Sequence, residues 1–120
     1  LSSPARADEA AAAPTPAEIE ALVRRKEQEA ATARREGIKL LEDYLRDAGP
    51  GAETAEALFK LAELTWEEAQ ADYLARMGRY QDAIEACRQD RSRCPDVPRK
   101  QPKLDLARAQ STYLRLIKEY

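Results

Sequence analysis

The sequence predicts an all-α protein built of antiparallel helical hairpins. Of its 120 residues, 35% are charged and only 6% are aromatic, and Ala, Glu, Arg and Leu dominate. That is the make-up of exposed helices carrying thin apolar stripes. Apolar residues recur at steps of three and four, and helix breakers gather at DAGPG (47–51) and CPDVPRKQP (94–102). A chain of this length holds one domain or part of one.

The first stretch, LSSPARADEAAAAPTP, is of low complexity and carries Pro4, Pro14 and Pro16. Residues 1–15 are expected to be a flexible leader. Within it, Ala5-Arg6-Ala7 before Asp8 has the small-x-small form of a signal-peptidase site, and the numbering starts at Leu1 rather than Met. An exported, periplasmic protein is therefore expected. No cysteine lies near the start to take a lipid anchor.

The domain proper is expected over 16–120. Thr15-Pro16 offers an N-cap followed by proline in the first turn, with Glu18 placed for the helix dipole. The first helix then runs over 16–48 with a stripe at Ile19, Leu22, Val23, Lys26, Ala30, Ala33, Gly37, Leu41, Tyr44 and Leu45. Gly37 inside a helix costs about 1 kcal/mol against Ala, which a tight helix crossing would explain. Thr54 is the expected cap of a second helix over 54–77, whose stripe is Leu58, Leu61, Ala62, Thr65, Trp66, Ala69, Tyr73 and Met77. Gly78 is expected to end it and to turn the chain into a third, antiparallel helix over 79–92, with Tyr80, Ala83, Ile84 and Cys87 on one face and Tyr80 and Ala83 buried. The three prolines of CPDVPRKQP forbid helix there. A last helix over 104–120 presents Leu106, Ala109, Tyr113, Leu116 and Ile117. It reaches Tyr120 without a stop signal, so a longer chain is expected.

Charge and chemistry exclude much. With no histidine, the commonest general base and metal ligand are missing. A net charge of −2 gives no overall basic field for nucleic acid, and no run approaches the roughly 20 apolar residues of a membrane span. Charge is uneven, however. Residues 42–72 carry nine acids against Arg46 and Lys60, whereas residues 88–103 carry six basic residues against Asp90 and Asp96. Solvated helix faces that pair with each other are the first explanation, and steering of a partner the second. The adjacent carboxylates Glu42-Asp43 and Glu67-Glu68 are solvated charge, not acid–base machinery.

In RMGRYQDAIEACRQDRSRCP (76–95), Gly78, Tyr80, Ala83, Cys87 and Pro95 follow a mechanical order: a turn, an aromatic wedge, a small residue at a crossing and a helix stop. This resembles the second half of a tetratricopeptide repeat. Gly37, Leu41 and Tyr44, and again Ala109, Tyr113 and Leu116, repeat the small, large, bulky order. The small residues 37, 83 and 109 lie 46 and then 26 apart, where a regular repeat has about 34. The resemblance covers about residues 37–120. It implies a right-handed superhelical stack of helix pairs, here with irregular, elongated helices, holding proteins or peptides in a concave groove. ALFKLAELTWEEA and STYLRLIKEY are similar to opening repeats of Gram-negative envelope proteins of this family, including motility and outer-membrane-assembly factors.

Cys87 and Cys94 are seven apart, which is neither a redox CxxC nor a zinc spacing. Within one helix their α-carbons would be roughly 10 Å apart, beyond disulfide reach. In an exported chain a bond is expected, provided the helix unwinds before Pro95. Trp66 and Tyr73 share a helix face and are either core or an aromatic ledge in the groove. The leading expectation is a non-enzymatic protein-interaction scaffold of the bacterial envelope, with no cofactor, no nucleic acid and no inserted membrane segment. The second is an oligomerising helical rod pairing over residues 18–47, against which Ala and Gly at the centre of the stripe are poor knobs. A thiol oxidoreductase comes third.

Overall fold

A computed structural model describes residues 12–120. The described residues form three α-helices, α1 (Pro16–Asp47), α2 (Ala52–Gln89) and α3 (Ala107–Glu119), and one 3-10 helix, Arg91–Asp96. No strand occurs among them. The cleavage-site motif and most of the leader lie outside the described residues.

Two compact units divide the chain, Leu1–Ala33 and Arg34–Tyr120. In the first, α1 opens as its cap signals require: the Glu18 amide donates to Thr15 Oγ1 at 3.2 Å and the Ile19 amide to the Thr15 carbonyl at 2.9 Å. Residues 16–30 are all exposed, Ile19, Leu22 and Val23 included.

The second unit begins with the rest of α1 and a short loop over 48–51. Thr54 does not cap α2. It is buried, and its hydroxyl donates to the Gly49 carbonyl, closing the loop, while α2 starts two residues earlier behind Gly51. Arg34 meets Glu68, Gly37 meets Leu64, and Ile38 and Leu45 pack with Ala57, Leu58 and Leu61, so residues 34–47 of α1 run antiparallel to α2. A Cβ on Gly37 would stand 3.2 Å from Leu64 Cδ1, which is the close crossing its glycine implies. The buried face of α1 is Ile38, Leu41 and Leu45. Tyr44, expected to pack, is exposed, because the apolar residues of α1 fall on two adjacent rows and α2 covers the row through Ile38. Helix α3 lies antiparallel to α2. Tyr113 meets Phe59 edge-on with centroids 6.3 Å apart, and at the far end the Gly51 amide donates to the Tyr120 hydroxyl at 3.4 Å. Arg108 reaches Glu42 of α1 at 2.7 Å. Ala109 is buried and Leu116 packs on the core. Thr65, buried in mid-helix, satisfies its hydroxyl on the Leu61 and Ala62 carbonyls of its own helix.

The turn expected at Gly78 is absent. The chain passes through it as one 38-residue helix. A lone glycine costs about 1 kcal/mol, too little to break a helix whose flanks, LARM and RYQDAIEA, are helix formers with no second breaker and no N-cap beside it. Helices 54–77 and 79–92 are therefore one element, and no hairpin buries Tyr80 and Ala83, which are only half-buried. The true stop is Asp90. There the chain enters the 3-10 helix, so Cys94, Pro95 and Asp96 are helical after all. Its closing bonds come from the Arg93 and Val97 amides, so the missing N–H of Pro95 costs nothing. The last helix begins at Ala107 rather than 104, with the Ala107 amide held by Asp105 Oδ1 at 3.0 Å.

Candidate functional site: a basic groove on the second half of α2

Because α2 continues past Gly78, Arg76, Arg79, Tyr80 and Ala83 stand at steps of three, four and seven on one helix face. Opposite them runs a rim of Asp96, Pro98, Lys100, Gln101, Pro102 and Lys103. The two enclose an open groove of about 1060 Å³.

The rim is tied down at both ends. Where α2 unwinds at Asp90, the chain doubles back and brings the α-carbons of Cys87 and Cys94 to 4.4 Å, joined by a disulfide. The bond needs the helix to end before Cys94, and it does. Asp90 Oδ1 accepts from the Ser92 hydroxyl at 2.8 Å and the Ser92 amide at 3.0 Å. These bonds hold the Asp90 carboxyl below the ordinary aspartate pKa and shape the first turn. At the other end Arg76 Nη2 donates to the Lys103 carbonyl at 3.0 Å, while its Nε is held by Asp72 at 2.8 Å. Between those ties, residues 98–102 make no backbone–backbone hydrogen bond, so this stretch of the rim keeps its peptide groups open.

Four cationic side chains line the groove against one acid. Asp96 is already turned to Arg93, 3.8 Å away. Among the described residues Arg79, Lys100 and Lys103 have no ion-pair partner. Mutual pairing does account for other basic residues of this region: Arg88 pairs with Glu85, and Arg93 with Asp96. Tyr80, Ala83 and the two prolines supply an apolar floor and wall.

A smaller notch of about 400 Å³ lies between Glu63, Trp66 and Glu67 of α2 and Tyr113 of α3. Trp66 is 37% exposed. Tyr73, which shares the helix face of Trp66 by its sequence spacing, lines neither cavity. The notch pairs Trp66 with Tyr113 instead.

On the opposite side of α2, Glu68 takes Arg34 and Arg35, whose Nε atoms donate to its two carboxylate oxygens. Partial burial alone would raise the Glu68 pKa. The hydrogen bonds from Arg34 and Arg35, with their charges, outweigh that and hold it below the ordinary value.

Of the residues singled out from sequence, the structure brings Tyr80 and Ala83 to the groove and Cys87 and Cys94 to its anchor, and gives Gly37, Leu41, Ala109 and Tyr113 to helix packing. Pro95 closes the 3-10 turn, and Gly78 is an ordinary helical residue. Arg76 and Arg79 were missed as groove residues, since the turn placed at Gly78 hid their spacing with Tyr80 and Ala83. Among the described residues no group of three or more acidic or cysteine side chains could hold a metal ion, and no helix is long and apolar enough to cross a membrane. No protein-family model, curated protein or solved structure matches the chain.

Proposed function

We propose that this protein is a non-enzymatic interaction module that holds a segment of another protein in the groove between α2 and the rim 96–103. The observation that carries the reading is the groove itself: wide, open, lined by an aromatic ring and by three cations, Arg79, Lys100 and Lys103, that have no ion-pair partner among the described residues, and held in shape by tethers rather than by a packed core. Ligand sites of this kind combine a pre-formed concavity with a few oriented polar groups.

The relation to tetratricopeptide-repeat proteins is part of the same proposal. It is supported by the antiparallel α1–α2 pair with Gly37 at its crossing and by a third helix that buries the small Ala109. An envelope setting, in motility or outer-membrane-assembly machinery, is supported by the Cys87–Cys94 bond, since such bonds persist in oxidising compartments. The rod reading has less support: Ile38, Leu41 and Leu45, which a coiled coil over 18–47 would need, are committed to α2.

The test is a photo-crosslinking amino acid placed at Ala83, in the groove, and in parallel at Leu114, an exposed position outside it, in cells that make the protein. A partner captured from position 83 and not from 114 is expected. Equal capture at both, or none at 83, would remove the groove from the function.

A further inference from the structure

We infer that the occupant of this groove is an extended, Asp/Glu-rich segment of a partner protein, an inference that rests on the interaction reading above. The charge pattern is local. The chain as a whole is acidic, with net charge −2, yet around this groove Arg76, Arg79, Lys100 and Lys103 face one another across open space with only Asp96 among them. Gathering like charges is unfavourable in the empty site, and a carboxylate placed between the walls relieves it on both sides. Arg76 is already spent on Asp72 and the Lys103 carbonyl. Arg79, Lys100 and Lys103 are therefore the groups left to meet a ligand.

The rim accounts for the extended form. Residues 101–106 are neither helical nor turned; of the part that lines the groove, the Lys103 carbonyl is taken by Arg76, while the Gln101 and Lys103 amides and the Gln101 and Pro102 carbonyls have no backbone partner. An extended peptide can use such groups, whereas a helix has its own satisfied internally. Pro98 and Pro102 interrupt the row of donors, so side-chain charge rather than a continuous backbone ladder selects the ligand. Nucleic acid fits less well, because the groove offers one aromatic ring, Tyr80, where single strands are bound on several.

The experiment uses the full chain with its disulfide intact and fluorescence anisotropy of a labelled ten-residue peptide alternating Glu and Asp with Ala. The controls are the same peptide with Gln and Asn, a ten-nucleotide single strand, and inorganic phosphate as competitor. The acidic peptide is expected to bind and the amide peptide not. Lys100→Glu with Lys103→Glu is expected to weaken binding about tenfold or more, while Lys39→Glu with Lys60→Glu, the same charge change on exposed sites away from the groove, leaves it within about twofold. Matching helical melting curves exclude misfolding of the variants. Equal binding of both peptides, equal loss in both double variants, tighter binding of the oligonucleotide, or displacement by phosphate at the peptide's own concentration would each overturn the inference. If the acidic peptide fails while the crosslinker at position 83 still captures a protein, the acidic ligand falls and the interaction module stands. If both fail, so does the module.

Discussion

From Ala52 to Thr65, α2 buries Ala57, Leu58, Leu61 and Ala62, with α1 and α3 laid against it. From Arg76 to Gln89 the same helix buries nothing fully, and Tyr80, Ala83, Ile84 and Cys87 are all half-buried. The first half is held by apolar area removed from water, which is non-directional and favours closing every gap. The second keeps a gap open, so it cannot rely on that force. Its rim is secured by a disulfide, the Asp90–Ser92 turn and the Arg76–Lys103 bond. An open groove in so small a domain calls for tethers in place of core.

That contrast can be broken most forcefully at Leu58, which is 1% exposed. Leu58→Ala is expected to lower stability by about 2–5 kcal/mol in urea unfolding. A loss below about 1 kcal/mol would mean that the first half is not the core.

Next in size is the tether. Replacing Cys87 and Cys94 together by Ser removes a short closed loop, an effect of about 2–3 kcal/mol in the chain-entropy model. The loss is expected to appear locally: amide exchange should quicken over residues 90–103 and stay unchanged over 57–65. Uniform quickening would show that the two halves are not separately held.

A smaller effect is expected at Glu68. Its carboxyl is depressed in the folded chain, so its contribution is present above the unfolded carboxyl's pKa and is lost as pH falls through the folded value. Glu68→Gln should cost about 1–2 kcal/mol at pH 7, and the two proteins should converge in stability on acidification. Parallel stability–pH curves would mean that Arg34 and Arg35 do not stabilise the charged form.

The smallest effect is a gain. Nothing stands within 4 Å of a Cβ built on Gly78, and its backbone is helical. Gly78→Ala should therefore add about 0.5–1 kcal/mol. A fall in melting temperature would restore a hinge at this position and with it the hairpin reading.

Local chemistry was readable wherever a signal acted on its own neighbours. The cap at Thr15, the stop at DAGPG, the small residue at the Gly37 crossing and the all-helical character follow from propensity, periodicity and hydrogen bonds within a few residues. The disulfide was readable as a condition, that the helix unwind before Pro95, and Asp90 meets it. What escaped depended on distant partners. Gly78 could end a helix or be passed over, and the difference of about 1 kcal/mol is smaller than what packing on either side supplies. Sequence spacing set Trp66 on one face with Tyr73, and only the docking of α3 brought Tyr113 to its side. The groove joins Arg76 and Arg79 to Lys100 and Lys103, residues more than twenty apart. Charge along a chain shows how many cations there are, whereas the reversal at Asp90 and the bond from Arg76 to Lys103 set which of them face one space.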